Sequence, residues 1–536
     1  MGNNVSIPVD PHMHGVVQMA HHALFEYDVL NLIFDVFNLE VWKDRKTCAC
    51  SARVCRAWTE PASRALWSGT RWSLRYLCMV LFKNVTPARS RYHKHTQMTS
   101  GHLRRNSVQF ERLLCCAARV HQLYSIAGLS ASPQNVQLMR HILSTNNGTT
   151  FLPALLSLSW VENQTTDGLL LRLIPPSLQE LELTINWRTP SEQIHRLFIG
   201  LSHPVLSLRT VRINWWQPEQ VLLDLDPLLN VTSIRYLTLK GNIVLGAGML
   251  YKILSDLALV SIQVTVRDLK AWNESIHCGN LEELWCAGTC ADIAALVTHL
   301  HAPNLTTADL RLDIVDAHFD RTAHSRLCQT LLGFTLRSLQ LRYKKVCIKR
   351  SRLSNACDLA PMPLFSDDLK ALSGRLALED FTLHSEVPRI LTDDHILQIA
   401  KGWPMLRALD LSVPVPIIYV GMPTPTALVH LARNCPNLRF LRMQLHAHEL
   451  APQLAIASLE LRALRHPLRT LRVVNAHDRC RAVHEMAEFL DNLFPCLAVE
   501  TGEGSYHQYA WGSIWRCVRD IQTGRRNGSK AVLKAS

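Results

Sequence analysis

One spacing of apolar residues recurs through most of this chain of 536 residues. Apolar residues stand at the first, fourth and sixth positions of a six-residue stretch, L-x-x-L-x-L, with starts about 22 to 42 residues apart. The twelve occurrences begin at Leu155, Leu178, Leu208, Ile234, Leu259, Leu281, Leu305, Leu336, Leu378, Leu406, Leu438 and Leu468. Because alternate side chains of a strand point to the same face, the fourth and sixth residues can fill one core. Twelve matches in order predict one short strand per repeat.

The stretches between these strands have helical spacing, as in residues 292–300, 394–400, 424–434 and 483–493. A strand and a helix recurring about every 28 residues are typical of leucine-rich repeats. We therefore predict an α/β fold in which residues 151–500 form a curved leucine-rich-repeat solenoid, with a parallel concave sheet and outer helices. The asparagine that closes many such repeats is mostly absent, so these are variant repeats.

Residues 24–70 form a second kind of segment, with apolar residues at helical spacings of three and four. These residues are Leu24, Leu30, Ile33, Phe34 and Phe37, followed by Val54, Trp58, Ala62 and Leu66. So short a segment cannot build much of a core on its own, yet it carries many large apolar residues. We therefore predict a helical docking module that another surface completes.

The residues of this segment resemble the F-box motif, and most closely the F-box-like proteins of fungi. The first part of the motif is matched by Val29-Leu30 and Ile33-Phe34, the second by Val54-Cys55-Arg56-Ala57-Trp58, and the third by Leu66-Trp67. Tyr27 stands where the family has proline, and Asp28 where it has glutamate. The resemblance covers about a tenth of the chain, whereas the repeats cover most of the rest.

An F-box followed by leucine-rich repeats implies a substrate receptor of an SCF-type (cullin–RING) ubiquitin ligase. The resemblance implies docking on a Skp-family adaptor, and through it on a cullin scaffold, while the repeats hold an unknown protein substrate. The implied adaptor-binding face comprises Leu24, Val29, Leu30, Ile33, Phe34, Val54, Cys55, Trp58, Leu66 and Trp67. The alternative is a repeat-based interaction scaffold without ligase association, in which the helical segment only caps the array. Tyr27 in place of proline favours that alternative.

The remaining segments are assigned from composition and periodicity. Residues 1–23 are predicted to be a flexible tail, and residues 71–150 a helical linker with helices over 110–123 and 135–143. A polar loop is expected near 86–106 within the linker. Residues 501–536 are expected to form a C-terminal segment with a basic tail.

The formal net charge of +13 raises nucleic acid as a possible partner. Much of the charge falls in three clusters, at residues 89–105, 342–352 and 525–530, which we predict to be loops or tail. On the repeat strands, the residues between the leucines carry both signs, so no nucleic acid is expected there. Charged groups with interspersed tryptophans favour protein recognition. The candidate substrate-binding residues are Arg212, Trp216, Lys240, Glu283, Trp285, Arg311, Arg342, Asp410, Arg442 and Arg472.

The sequence contains no motif for catalysis or for binding a cofactor. Phosphate-binding loops, a G-x-S-x-G elbow and H-E-x-x-H are missing, and the sixteen cysteines form no paired C-x-x-C units. We expect no active site, no cofactor and no metal. With no secretory signal, the cysteines are predicted to be reduced thiols of a cytoplasmic or nuclear protein. Gly2 lies in an M-G-x-x-x-S pattern for myristoylation, and a membrane partner is expected only if Gly2 is acylated.

Overall fold

The computed structural model describes nineteen stretches of the chain, which fall in two compact units. The first unit comprises Met1–Gln220 and Asp224–Asn242, and the second comprises Val221–Leu223 and Ile243–Ser536. The described residues are 26–70, 72–73, 108–124, 133–146, 150–162, 168–186, 189–202, 206–216, 221–222, 224–269, 272–315, 320–346, 372–373, 376–387, 391–413, 422–446, 465–474, 482–498 and 509–535. The predicted N-terminal tail and the predicted polar loop lie outside them.

The first unit begins with a three-helix cluster, which we call the helical module. Its helices are α1 (Tyr27–Asp35), α2 (Trp42–Ser51) and α3 (Arg56–Gly69). Leu30 and Phe34, one helical turn apart on α1, pack with Cys48 of α2 and Ala62 of α3 in a small buried core. Phe34 meets the edge of Trp58 with ring centroids 5.8 Å apart. The module thus has a core of its own, built on one side of α1.

Six parallel strands form the sheet of the first unit. They are β1 (Trp72–Ser73), β2 (Gln122–Tyr124), β3 (Ser157–Glu162), β4 (Glu180–Asn186), β5 (Thr210–Trp216) and β6 (Tyr236–Gly241). The helices of this unit outside the module are α4 (Val108–Ala117), α5 (Pro133–Thr145), α6 (Leu169–Leu173), α7 (Ser191–Leu201) and α8 (Asp226–Leu229). The sheet therefore starts inside the predicted linker. The helix predicted over 110–123 ends at Ala117, and the residues after it form β2.

A buried polar network joins β3 to α7. The indole Nε1 of Trp160 donates to Glu162 Oε2 at 2.7 Å, and Gln193 Nε2 donates to the other carboxylate oxygen. Glu162 is 2% exposed, so protein donors, these two among them, replace water at its carboxylate. The network ties the end of a strand to the helix that follows the next strand.

The second unit contains eight parallel strands and seven helices among its described residues. The strands are β7 (Ser261–Thr265), β8 (Glu283–Thr289), β9 (Thr307–Val315), β10 (Ser338–Val346), β11 (Asp380–Ser385), β12 (Ala408–Ser412), β13 (Phe440–Gln444) and β14 (Thr470–Val474). The helices are α9 (Ala247–Asp256), α10 (Cys290–His299), α11 (Arg321–Leu331), α12 (Asp393–Gly402), α13 (Pro425–Asn434), α14 (Val483–Leu493) and α15 (Tyr509–Ala535). Two-residue strands also pair in parallel, Val221–Leu222 with Ile243–Val244 and Ile276–His277 with Leu300–His301.

The leucine pattern sets the register of these strands. All twelve predicted strands are present as β3–β14, which confirms the predicted α/β repeat fold. The fourth residue of the pattern is buried in every one of them, and the sixth is buried in all except Val473, which is half-buried. In the second unit the fourth-position residues pair with one another from strand to strand, so the apolar side chains stack in a continuous row.

The C-terminal segment is a helix over 27 residues, α15, and not a tail. Trp511, Ile514 and Val518 are buried, α15 packs on α14, and Arg525 pairs with the buried carboxylate of Asp491. The last repeat of an array exposes an apolar face, and here α15 covers α14, the helix that precedes it. The prediction of a tail was therefore wrong for Arg525.

The basic cluster predicted over residues 342–352 also differs from the prediction in its described part. Arg342, Lys344 and Lys345 lie in β10 and not in a loop. The cluster at 89–105 lies outside the described residues.

Candidate functional site

Helix α1 carries apolar residues on two sides. On the inner side, Leu30 is 0% exposed and Phe34 is 2% exposed. On the outer side Val29, Leu32, Ile33 and Val36 follow the spacing i, i+3, i+4, i+7 of a single helical face. Their exposed fractions are 36%, 70%, 40% and 84%, respectively. We call these four residues the outer stripe. A surface helix normally has one apolar stripe, which faces its own core, so the outer stripe exposes more apolar surface than the core of the module needs.

Exposed large apolar side chains are concentrated in the helical module. Among the described residues, twelve large apolar side chains are exposed, and eight of them lie between Tyr27 and Val54. Besides the outer stripe, this group comprises Tyr27, Val41, Trp42 and Val54. The other four are Ile199, Trp216, Tyr236 and Met405, which are spread along the chain. Scattered exposed apolar residues are normal, but a concentration of this kind marks an interaction surface.

The structure divides the predicted adaptor-binding residues. Val29, Ile33 and Val54 are exposed, whereas Cys55, Trp58, Leu66 and Trp67 are half-buried. Leu30 and Phe34 form the core of the module, which corrects their assignment to a contact face: the i, i+4 pair packs on α3. Leu24, like Gly2, lies outside the described residues.

The module is attached to the sheet of its unit through α3. Trp67 at the end of α3 stacks on Trp72 of β1 with centroids 4.3 Å apart, and Trp72 Nε1 donates to the Trp67 carbonyl at 3.0 Å. Arg119, just before β2, forms an ion pair with Glu60 of α3 at 2.6 Å. These contacts use α3, so they leave the outer stripe of α1 uncovered.

Five exposed apolar residues of the module were not predicted as contact residues: Tyr27, Leu32, Val36, Val41 and Trp42. For α1 a signal existed in the sequence. Among its nine residues and the two that follow, only Asp28, Asn31 and Asp35 are polar, which leaves more apolar residues than one buried face needs.

A second candidate surface is the open face of the sheet, by which we mean the strand side chains that alternate with the buried leucines. Ten predicted residues lie there or at its edge. Arg212, Trp216 and Lys240 belong to the first unit and are exposed. In the second unit Glu283, Arg342 and Arg472 are exposed, while Trp285, Arg311, Asp410 and Arg442 are half-buried. The open face is therefore a mixed polar surface in each unit.

Ion pairs organise the open face of the second unit. Arg342 of β10 pairs with Asp309 of β9 at 2.9 Å, and Arg442 of β13 pairs with Asp410 of β12 at 3.6 Å. Asp309 was not among the predicted binding residues. Its side chain is only 5% exposed, so it is a buried carboxylate on this face. Burial raises the pKa of Asp309, and the nearby Arg342 and Arg311 act in the opposite direction. Burying this carboxylate costs it the free energy of hydration. Such a residue is more typical of a binding surface than of a stabilising ion pair.

The described residues contain no cluster of metal ligands, and several of their cysteines are buried. No group of three or more His, Cys, Asp or Glu side chains among them is arranged to hold a metal ion. Cys278 and Cys435 are buried thiols, and burial raises the pKa of Cys278 to about 11 and that of Cys435 to about 12. Thiols with such pKa values are poor nucleophiles. In the part of the chain that the structure describes, no helix is long and apolar enough to cross a membrane.

Comparison with known proteins finds only distant likenesses to solved structures. No protein-family model matches the chain, and no curated protein matches it in sequence. An internalin from Listeria monocytogenes str. 4b F2365 is 17% identical, with a TM-score of 0.30, over 61% of this chain and 82% of its own. A chain of the Rad7 and Elc1 complex in yeast is 12% identical, with a TM-score of 0.33, over 87% of this chain and 94% of its own. Likenesses this low carry no argument about function.

Proposed function

We propose that this protein is the substrate receptor of an SCF-type ubiquitin ligase. The helical module would dock on a Skp-family adaptor and through it on a cullin scaffold, while the open face of the repeats would hold a protein substrate. The chain itself would be non-catalytic, because a receptor accelerates ubiquitin transfer by holding the substrate close to the charged conjugating enzyme. A cytoplasmic or nuclear location follows from this role.

The observation that supports adaptor docking most strongly is the outer stripe. Its four side chains together expose the equivalent of a little over two whole side chains. At about 1.5–3 kcal/mol for each fully buried aliphatic side chain, their burial against a partner would contribute about 3–7 kcal/mol. A helix that presents apolar residues at i, i+3, i+4 and i+7 suits the groove or helical face of another protein.

The rival role is that of a cap on the repeat array. The Trp67–Trp72 stack and the Arg119–Glu60 ion pair do support a capping contact. They involve α3, however, whereas the outer stripe lies on α1 and takes no part in them. A module that served only as a cap would have no reason to keep Leu32 and Val36 apolar at 70% and 84% exposure. We therefore propose that the module caps the array and also docks on a partner.

A membrane surface is a weaker candidate for the same apolar residues. Helices that lie on membranes carry Lys or Arg on their polar side, because anionic lipids attract them. Helix α1 has Asp28 in its first turn, Asp35 at its end and no basic residue in its last turn. The charge of α1 thus favours a protein partner.

Co-purification tests the proposal. The wild-type chain and an Ile33→Lys variant should be expressed with a tagged Skp-family adaptor, and the amount retained on the adaptor measured. Ile33 is 40% exposed on the outer stripe, so the substitution should remove binding without disturbing the core. An Ile199→Lys variant is the matched control, because Ile199 is 52% exposed on α7, outside the module. If the wild-type chain is not retained, or the two variants behave alike, the adaptor proposal fails.

A further inference from the structure

A polar cavity of about 550 Å³ lies within the first unit, between the helical module and the first strands of the sheet. Its floor is the open face of β2, β3, β4 and β5, and one wall comes from the module, through residues that include Arg45 and Thr70. Its volume is in the range of pockets that bind ligands. The outer stripe of α1 contributes no residue to its lining.

The floor is built from a row of side chains in register across four strands. Tyr124 of β2 pairs with Ser159 of β3, Ser159 with Glu182 of β4, and Glu182 with Arg212 of β5. Since neighbouring strands lie about 4.8 Å apart, this row is about 14 Å long. An extended peptide covers that length with about four residues. The small serine leaves room between the tyrosine and the glutamate for a ligand side chain to approach the sheet.

Two carboxylates on the floor are oriented but not neutralised. Ser157 Oγ donates to Glu180 Oε2 at 3.2 Å, and Asn214 Nδ2 donates to Glu182 Oε1 at 3.1 Å. These neutral donors hold one oxygen of each carboxylate and leave the other available. Neither glutamate forms an ion pair with any residue that the structure describes, although Arg212 stands beside Glu182 in register.

The wall opposite carries two polar atoms that lack partners. Thr70 is 5% exposed, and its Oγ1 has no hydrogen-bond partner in the described part of the chain. The Nε of Arg45 is also buried without a hydrogen-bond partner there, while its Nη2 donates to the Glu40 carbonyl at 3.4 Å. A buried polar group left unpaired is costly, and such a group at the edge of a cavity suits a ligand that completes it.

We propose that this cavity binds a short peptide segment of a partner protein that carries a lysine or arginine side chain. The cationic side chain would pair with Glu180 and Glu182, and the peptide carbonyls would accept from Thr70 Oγ1 and Arg45 Nε. A basic peptide carries both groups, a cation for the floor and backbone carbonyls for the wall. This inference deepens the proposed function, because the partner's role as a substrate rests on it. The binding of the peptide itself does not depend on the adaptor.

Selection from a phage-displayed library of random heptapeptides on the immobilised full-length chain tests this assignment. Enriched peptides should contain lysine or arginine, and their affinity is then measured by fluorescence anisotropy. A Glu180→Gln/Glu182→Gln variant should bind them at least tenfold more weakly, since charge-assisted hydrogen bonds are strong. Thr70→Val should also weaken binding, yet leave the melting temperature unchanged or higher, because it removes an unpaired buried hydroxyl. Glu192→Gln, at an exposed glutamate of α7, is the matched control and should bind like wild type.

Three results would overturn the assignment: no enrichment, enrichment of peptides without a basic residue, or equal affinity for the wild type and the double glutamine variant. Adaptor binding is measured in parallel on the same double variant and should be unchanged, because the floor of the cavity is not part of the outer stripe. If the wild-type chain binds the adaptor but enriches no basic peptide, the cavity assignment alone fails. If it binds basic peptides but is not retained on the adaptor, the adaptor proposal alone fails.

Discussion

Lysine at two positions of the outer stripe should strongly weaken adaptor binding and leave the fold intact. We choose Leu32→Lys with Val36→Lys, at positions that are 70% and 84% exposed. At about 1.5–3 kcal/mol per buried aliphatic side chain, the two substitutions remove about 2–5 kcal/mol of apolar burial in the complex. Each tenfold change in affinity corresponds to about 1.4 kcal/mol, so the dissociation constant should rise about 30-fold or more. Two ammonium groups facing an apolar partner add to this loss.

The same substitutions should not destabilise the free protein. Lysine is a good helix former, and the last turn of α1 has no basic residue to balance the helix dipole. The assay is isothermal titration of the purified chain with a purified Skp-family adaptor, accompanied by a thermal melt of each variant. Unchanged affinity in the double lysine variant, with an unchanged melting temperature, would refute the assignment of the outer stripe as the docking face.

Three further predictions concern the folded chain. Phe34→Ala should destabilise the helical module by about 3–5 kcal/mol, measured as faster amide hydrogen exchange in α1–α3, because it empties a buried site. Glu162→Ala should cost about 2–5 kcal/mol in the first unit because it removes the buried acceptor of Trp160 Nε1 and Gln193 Nε2, and a lower urea midpoint would show it. Burial raises the pKa of Asp309, so its contribution to stability is lost as the pH rises above its ordinary pKa of 3.8. Relative to wild type, Asp309→Asn should therefore be more stable at about pH 7 than at about pH 4 in urea titrations, and a difference that shrinks as the pH rises would contradict this.

The repeat strands could be predicted because their pattern is set by local physics. A leucine at every second strand position must face one core, and twelve copies of one pattern leave no ambiguity of register. The first two strands were missed because β1 and β2 have two and three residues, too few to show that pattern. What makes them strands is the pairing of β1 with β2 and of β2 with β3, which are contacts between residues distant in sequence.

The C-terminal helix could have been predicted from its apolar residues. Trp511, Ile514, Trp515 and Val518 follow the spacing of one helical face, but the basic residues nearby favoured a tail. The sides of α1 are a different case. Because apolar residues cover more of α1 than one buried face needs, only the packing of α3 decides that Leu30 and Phe34 face inward.

The burial of Asp309 also could not be predicted from the sequence. It depends on the neighbouring strands β8 and β10, which bring Trp285 and Arg342 beside it. The sequence predicted a mixed surface there, and the pairing of its charges required the register of the sheet.

Photocrosslinking from position 32 tests the central proposal most directly. Leu32, 70% exposed on the outer stripe, is replaced by a photoreactive phenylalanine derivative, and the chain is irradiated together with a Skp-family adaptor. Position 199 on α7, 52% exposed, carries the same group as the control. Our account predicts a crosslink to the adaptor from position 32 and none from position 199. Crosslinks from position 32 that stay within the chain would contradict it and leave the helical module as a cap.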